Sequence, residues 1–325
     1  MNIYIRSAAC IAPTTTLGAM DLPPLAKPAG SRLACIEPDY KEFIDPKALR
    51  RMSRIIRMGV AAAKACVLQA DGSTLAVPDG STLAASDGST LTVPDAIVTG
   101  TGYGCLQDTD GFLTDMIQRK EASLQPATFI QSTHNTVGAQ IALVLQCTGY
   151  NNTFVHRGFS FENAVLDAIL LLQEGEARTV LTGGVDELTD ASFEILSRFG
   201  MYRHALAGEG AAFFLLAAEP TGEDHAKLAG MATFYRPEDI GLEIQRFLAE
   251  QAVDPASVGL VIGDAILPGV PTQPYKTQCG EYPTSTAYAF WLGARLIKTG
   301  VHKRILVYNQ YLGIYHAAFL LTAAS

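Results

Sequence analysis

The pattern of hydrophobic and polar positions along this chain alternates between the two-residue period of strands and the longer period of amphipathic helices. Near the start, residues 3–5 (IYI) alternate in the way that is typical of a first strand. Apolar faces at helical spacing predict three helices, over residues 50–69, 135–146 and 237–251. Runs rich in β-branched and aromatic residues predict further strands, over residues 95–104, 151–156, 211–217, 258–264, 304–308 and 315–321. This order of strands and helices predicts an α/β fold with a largely parallel sheet.

One helix–strand unit occurs twice in the sequence. When residues 160–182 are laid over residues 285–307, serine, alanine, leucine and glycine positions coincide. Each copy has a turn of small residues, a buried helix that ends at glycine, and a β-branched strand. The duplication predicts two similar halves related by a pseudo-two-fold axis, and we place them at residues 1–220 and 221–325.

A second repeat has a different character. The motif DGST recurs three times, opening at Asp71, Asp79 and Asp87, within the segment 71–94. Asp-Gly is a strong turn signal, so the segment is predicted to be an expanded surface loop. Calcium-binding β-helices also use short Asp/Gly repeats, but the units here carry too few acidic ligands for that chemistry.

The composition of the chain argues against several classes of function. The chain has 325 residues, of which 48% are hydrophobic and 17% charged, enough to bury a sizeable core. Its formal net charge of −8 argues against nucleic acid or an anionic membrane surface as the main partner. The six cysteines show no CxxC pair and no metal-ligand spacing, so we expect reduced thiols, no metal, and a cytoplasmic protein. No apolar run approaches the roughly 20 residues of a membrane span.

Several motifs, taken in order, resemble the β-ketoacyl synthase family. They are the basic helix start RRMSR, TGTGYG, PATFIQSTHNTVG, TFVHRGFSFENA, VLTGGVDE and GEGAAFFLL, and they cover roughly residues 1–220. The second half is similar more thinly, through VIGDAI (261–266) and YKTQCGEYPTSTAYA (275–289). The resemblance implies the thiolase-like fold of five layers, α-β-α-β-α, built from two duplicated halves. The internal duplication points to the same fold independently.

The positions that carry this family's chemistry are changed. The nucleophilic Cys of the family corresponds to Gly158, and its two His correspond to Asp264 and Glu281. Glycine cannot be acylated, and a carboxylate repels the enolate that a histidine would stabilise. Lys276 of the second His motif is retained. The relatives' oxyanion loop, Gly-Phe-Gly-Gly, reads Tyr311 to Ile314, and Ile266-Leu267 replace the two Thr that hold pantetheine in relatives.

The resemblance therefore implies a non-catalytic member, similar to a chain-length factor. Such a chain pairs with a catalytic ketosynthase subunit through strand 151–156 and shapes an acyl tunnel, for which Phe159 and Phe161 are the candidate residues. The implied setting is type II fatty acid or aryl-polyene-like biosynthesis. No cofactor is expected beyond an acyl-phosphopantetheine carried by an acyl carrier protein.

A basic stripe suggests where that carrier protein docks. Arg50, Arg54 and Arg57 fall on one face of the predicted helix 50–69. An acidic carrier protein is a suitable partner for them. The competing interpretation is a solvated or internally paired face.

Two other classes of function stay open. One is an active acyltransferase or hydrolase that uses Ser160, or a decarboxylase with a rebuilt site, although a serine at a helix start is commonly an N-cap. His134 and His156 are candidate bases in that case, and Cys105 and Cys279 candidate displaced nucleophiles. The other class is a homodimeric scaffold or ligand-binding protein without catalysis.

Overall fold

The computed structural model describes residues 3–17, 30–72, 92–264 and 266–324. The predicted repeat loop falls mostly at residues 73–91, outside the described residues. Its two ends are joined, because the backbone N–H of Thr92 donates to Asp71 Oδ2 at 2.8 Å.

The helices and strands follow one another in chain order, and they divide into two sets. The first set contains β1 (Ile3–Ala12), β2 (Thr15–Thr16), α1 (Pro46–Leu49), α2 (Arg54–Ala70), β3 (Ala96–Gly100), α3 (Leu106–Gln118), α4 (Pro126–Gln131), α5 (Thr136–Leu145), β4 (Tyr150–Phe154), α6 (Ser160–Gln173), β5 (Thr179–Asp186), α7 (Asp190–Arg198) and β6 (Gly210–Ala217). The second set contains β7 (Ala226–Tyr235), α8 (Ile240–Glu250), β8 (Leu260–Ile262), β9 (Thr272–Gln273), α9 (Lys276–Cys279), α10 (Thr286–Lys298), β10 (Arg304–Tyr311) and β11 (Tyr315–Thr322).

The two sets of strands have the same topology. The first runs in the order β4-β3-β5-β6-β1 and the second in the order β9-β8-β10-β11-β7. In each set the first three strands are parallel and the last two pairings are antiparallel. The sets meet where β1 pairs with β7, with Ile3 opposite Leu228. The two sets of strands thus repeat one order within a continuous sheet, and residues 220 and 221 lie in the connection between β6 and β7.

The helices and strands form five layers, and three hydrophobic clusters pack these layers against one another. The central cluster joins α6 and α10 to the facing sides of both sheets, including Phe161, Phe290 and Phe319. A second cluster packs α2 against the outer side of the first sheet. A third packs α8 against the outer side of the second sheet, around Phe247. The chain therefore has the predicted α-β-α-β-α thiolase-like fold.

The duplicated unit is confirmed in the structure. Residues 160–182 and 285–307 form α6 with the start of β5 and α10 with the start of β10. α10 lies in the middle layer, so its sequence TAYAFWLGARLI is buried almost without interruption. A helix that is apolar on all sides suits that position.

Some predicted boundaries were wrong. The helix predicted over 50–69 begins only at Arg54, because α1 has already ended at Leu49 and Ser53 occupies the N-cap position. Met52 lies within this break and is buried, as are Ile55 and Ile56 just after it, so the hydrophobic pattern did not show the break. β7 was not predicted at all. Among the described residues, no helix combines the length and apolar character that crossing a membrane requires.

Candidate functional site

The turn that carries Gly158 is a strand-to-helix elbow. β4 ends at Phe154, a 3-10 turn spans Arg157–Phe159, and α6 begins at Ser160. The Ser160 hydroxyl accepts the backbone N–H of His156 at 2.8 Å and donates to the backbone oxygen of Arg157 at 2.8 Å. Arg157 adopts a left-handed backbone, with φ of 48°. The buried Ser160 hydroxyl therefore holds the elbow together, and Arg157 adopts a strained backbone conformation within it.

Ser160 does not have the capping role that we expected. Phe159 occupies the N-cap position of α6, and Ser160 is the first helical residue. Its counterpart Ser285 lies at the N-cap position of α10, but its hydroxyl makes no capping bond. The Ser160 side chain is fully buried and has both of its hydrogen bonds within the elbow. It braces the turn and presents no accessible nucleophile.

The space that a side chain at position 158 would occupy is filled by Tyr311. A Cβ atom on Gly158 would lie 2.6 Å from Tyr311 Cδ1 and 2.8 Å from Tyr311 Cβ. Such distances are well below ordinary van der Waals contact. The Tyr311 ring is fully buried, and its hydroxyl lies 3.0 Å from the hydroxyl of Tyr103. The elbow therefore carries no side chain at position 158, and the space for one is occupied by an aromatic ring.

The sequence showed Tyr311 only as part of an altered loop. Gly158 and Tyr311 stand far apart in the chain, and β10 brings one beside the other. A signal was present, because the resemblance puts glycine at 311 and cysteine at 158, and this chain has a large residue at the first and the smallest at the second. Only the fold shows that the two changes compensate in volume.

Asp264 and Glu281, which the resemblance puts at the two His positions, line one polar cavity of about 310 Å³. Lys276 lines it too, and its Nζ donates to Glu281 Oε1 at 2.9 Å, to Glu281 Oε2 at 2.8 Å and to the backbone oxygen of Gln310. Burial raises the pKa of the Glu281 carboxyl, and the Lys276 ammonium opposes that rise. The cavity is lined by His204, Ala205, Leu206, Gly263, Asp264, Pro274, Tyr275, Lys276, Thr277, Glu281, Tyr308 and Gln310.

The lining of this cavity holds one histidine, His204, and no cysteine. Its lining residues include no thiol and no serine hydroxyl, and its retained lysine is bound by a carboxylate. Glu281 and Asp264 place two carboxylates in its wall, and carboxylates repel the negative charge of an enolate. The arrangement can bind a polar group but offers no oxyanion stabilisation at these two positions.

Asp186 fixes the loops around the elbow. This buried carboxylate at the end of β5 accepts the Thr101 hydroxyl at 3.0 Å and the Gly102 N–H at 2.8 Å. It also accepts the Thr284 N–H at 3.0 Å and hydroxyl at 2.8 Å. Burial raises its pKa to about 6, against the effect of these donors. Asp186 therefore ties the glycine loop of the first half to the turn that precedes α10 in the second.

A second cavity, of about 310 Å³, lies between α3 and α7 and is largely apolar. Tyr103 forms part of its wall, and Leu106, Leu113, Ile195 and Leu196 supply most of the apolar lining. It shares no lining residue with the polar cavity.

The two tunnel candidates lie in different surroundings. Phe161 is fully buried in the central cluster, with ring centroids of Phe214 and Phe290 at 5.7 Å and 5.8 Å. Phe159 lies nearer the surface and packs edge-on against Tyr315, at a centroid distance of 4.9 Å. Neither residue lines the polar or the apolar cavity.

The three docking candidates do not form one helical face, because Arg50 lies at the end of α1 and α2 begins at Arg54. Arg54 is paired internally with Glu209, at 2.6 Å and 2.5 Å. Arg57 Nε donates to the backbone oxygen of Met52 at 2.9 Å. Arg50 alone of the three is exposed without a side-chain hydrogen bond or ion pair to the described residues.

The remaining candidate nucleophiles and bases are not assembled into a site. Cys105 and Cys279 are buried, and burial raises the pKa of both thiols, which disfavours the reactive thiolate. His134 is exposed, and the Asn163 amide donates to His156 Nδ1 at 2.8 Å. All six cysteines are free. Within the described ranges, no group of three His, Cys, Asp or Glu side chains is placed to hold a metal ion.

Comparison with known proteins adds two findings. The family model for the N-terminal domain of β-ketoacyl synthases matches residues 32–216, more than half of the chain. No curated protein sequence matches significantly.

The chain is also similar to solved structures, at identities that show the fold alone. The ishigamide ketosynthase/chain length factor has 17% identity and a TM-score of 0.77, with 99% of each chain covered. The AntDE:AntF complex of a type II polyketide acyl-carrier protein with its ketosynthase has 15% identity, a TM-score of 0.75 and 99% coverage of each chain. The ketosynthase ApeO with its chain length factor ApeC, from Xenorhabdus doucetiae, has 14% identity and a TM-score of 0.74, covering 99% of this chain and 98% of that one. With the matching family model and the shared fold, this chain belongs to the β-ketoacyl synthase family.

Proposed function

We propose that this chain is the non-catalytic, chain-length-factor-like subunit of a condensing heterodimer that serves type II fatty acid or polyene biosynthesis. The observation that carries the proposal is the elbow, where Gly158 offers no nucleophile and Tyr311 fills the space of one. The partner subunit supplies the cysteine and the two histidines. This chain contributes a matching half and helps to bound the acyl tunnel.

The edge of the first sheet supports pairing with another chain. β4 is a terminal strand in the sheet order, so one side of its backbone is free to pair. Large apolar side chains are exposed on and around it: Leu143, Tyr150, Val155, Leu166 and Leu170. Such a cluster is typical of a protein–protein interface rather than of a monomer's surface. We place the catalytic subunit on this face.

The names of the similar structures agree with the proposed partners. Two of them are ketosynthases with chain length factors, and one is a ketosynthase with an acyl-carrier protein. We therefore propose an acyl carrier protein as the second partner, which presents its phosphopantetheine-bound acyl group to the heterodimer. Arg50 is the docking candidate to be tested, since neutralising Arg54 would also break its internal pair with Glu209.

Control of product length is assigned to bulky side chains near the partner face. Phe159 is the stronger of the two original candidates, because Phe161 is locked in the central core. The apolar cavity between α3 and α7 is large enough for several methylene groups and contains few polar atoms. An acyl chain that grows in the partner's site would end in such a space.

The test is reconstitution with a full-length ketosynthase and its carrier protein. We expect the two chains to co-purify and to extend malonyl units only when the partner's cysteine is intact. Phe159→Ala should lengthen the products by at least one two-carbon unit, while Arg50→Ala should weaken carrier binding. Products of the same length with and without this chain would contradict the proposal.

The two other classes of function have less support from the structure than the chain-length-factor-like role. An enzyme that uses Ser160 is disfavoured by the full burial of that hydroxyl and by its two hydrogen bonds. A homodimeric scaffold would use the same β4 face, and the reconstitution separates it. A stable homodimer that ignores the ketosynthase would favour the scaffold.

A further inference from the structure

Tyr311 stands between two cavities that share no lining residue. Its neighbour in β10, Gln310, lines the polar cavity, and the backbone oxygen of Gln310 accepts from Lys276 Nζ. Its hydroxyl lies 3.0 Å from that of Tyr103, which lines the apolar cavity. Tyr311 itself lines neither cavity and is fully buried. Tyr311, which covers Gly158, thus lies between the polar cavity and the apolar cavity.

We propose that the Tyr311 ring is a partition between the two cavities. It fills the space beside Gly158 and keeps a polar group in the polar cavity from meeting an apolar chain in the apolar cavity. The inference rests on the proposed function only in taking Gly158 as the position of the lost nucleophile. It adds a specificity-determining residue, and the substrate class that it restricts is an acyl chain of limited length.

Space rather than backbone conformation is what excludes a side chain at position 158. Gly158 has none of the positive φ angles that favour glycine, whereas the adjacent Arg157 does. The obstacle is the Tyr311 side chain, whose three nearest atoms would lie 2.6–3.0 Å from a Cβ atom on residue 158. Since a buried ring held by packing cannot move without repacking its neighbours, residue 158 and residue 311 are matched.

The Tyr103–Tyr311 pair also limits how far an acyl chain can reach. A chain that enters the apolar cavity meets Tyr103, and behind Tyr103 lies the Tyr311 ring. On the other side, the Lys276–Glu281 ion pair and Asp264 make a polar environment. Removing the ring would open space beside Gly158, where a thioester is held in active relatives according to the resemblance.

The test compares Gly158→Cys, Tyr311→Gly and the double variant with the wild type. Each protein alone is treated with iodoacetamide, and alkylation at residue 158 is located by peptide mass. We expect the thiol to react at least tenfold faster in the double variant than in Gly158→Cys. We also expect Gly158→Cys to lower Tm, and Tyr311→Gly to recover part of that loss when combined with it. The native thiols give a low background, since five of the six are buried.

Two further variants make the test robust. Gly158→Ala adds only the Cβ atom, so it keeps the proposal testable if Gly158→Cys does not fold, and Tyr311→Gly should rescue its Tm too. Gly158→Cys with Tyr311→Phe retains the ring and should stay unlabelled. Equal labelling of the introduced thiol at position 158 with and without the ring at position 311, or purely additive Tm changes, would overturn the partition. No partner chain takes part in these measurements, so they stand apart from the reconstitution that tests the heterodimer.

Discussion

At the level of single residues, the sequence predicted that position 158 offers no nucleophile, but it did not show that Tyr311 fills the space beside it. Motif positions can be compared one by one, and this comparison identified the candidate site positions Gly158, Asp264 and Glu281. Tyr311 was not identified, since its contact with Gly158 exists only after β10 has been placed beside the elbow. The pairing of Glu281 with Lys276 was hidden in the same way, although the two residues lie in one short motif.

The Arg54–Glu209 pair yields a stability prediction. Glu209 is 2% exposed and accepts from Arg54, from the Cys35 N–H and from the Leu188 N–H. Removing the cation leaves a buried carboxylate without its charge partner, so Arg54→Ala should cost about 3–5 kcal/mol of unfolding free energy. Urea unfolding measures this. Arg50→Ala, an exposed control, should stay within about 0.5 kcal/mol, and equal losses in both variants would refute the assignment.

A second prediction concerns backbone strain in the elbow. Arg157 has φ of 48°, a conformation that costs a residue with a Cβ atom roughly 1–2 kcal/mol and glycine little. After the greater chain entropy of glycine is subtracted, Arg157→Gly should stabilise the chain by about 0.5 kcal/mol. Arg246→Gly, within α8, is the control and should destabilise it by about 1 kcal/mol. A loss of stability in Arg157→Gly would mean that its side chain, not its backbone, matters.

At the scale of the element, periodicity and the internal repeat predicted most of the architecture. α6 and α10 were found as copies because both serve the same middle layer and carry the same small and apolar residues. The start of α2 was misplaced because Met52, within the break after α1, is buried like the apolar residues of the helix that follows. Helix periodicity cannot detect a break when a residue within it is itself apolar and buried. The ends of short strands were also misplaced. The strand predicted over residues 258–264 is β8, which spans only Leu260–Ile262.

The contact between α6 and α10 predicts a pH dependence. Glu162 of α6 is fully buried, and the Thr286 hydroxyl of α10 donates to its Oε1 at 2.7 Å. Burial raises the pKa of Glu162 from 4.5 to about 7. Between those values the folded chain binds a proton that the unfolded chain has released. The stabilisation from this group is therefore complete below pH 4.5 and is lost as the pH rises through 7, by roughly 3 kcal/mol at most.

Glu162→Gln isolates that contribution. Asp186 and Glu187 have pKa values raised to about 6 and about 7, so the wild type alone cannot identify the group responsible. The difference in unfolding free energy between wild type and Glu162→Gln should turn in favour of the variant as the pH rises from 5 to 8. A difference that is constant over this range would show that Glu162 has the same pKa in the folded and unfolded chain.

At the scale of the whole molecule, the two sets of strands and the helix layers bring residues of both halves together, as at the contact of Gly158 with Tyr311. Gly158 belongs to the first half, while Asp264, Glu281 and Tyr311 belong to the second. Sequence reasoning predicted this fold because the duplication and the motif order point to it independently. It could not predict the cavities, which depend on packing between segments far apart in the chain.

The β4 face gives a prediction about assembly. Leu143 is 70% exposed and Leu170 is 44% exposed, on the two helices that flank this strand. Replacing both by arginine should weaken association with a ketosynthase subunit at least tenfold, since apolar area at the interface is exchanged for charge. Val301→Arg, at an exposed apolar residue in the connection between α10 and β10, is the matched control. Association is measured by analytical ultracentrifugation, and equal effects of both substitutions would place the interface elsewhere.

We propose that this chain cannot hold a thioester at its elbow, because Gly158 has no side chain to acylate. The most direct measurement is the intact mass of both subunits after the purified complex has been incubated with acyl-carrier and malonyl-carrier protein. We expect an acyl adduct on the ketosynthase partner and an unchanged mass for this chain. An acyl adduct on this chain, removed by hydroxylamine and located to a residue near the elbow, would contradict it.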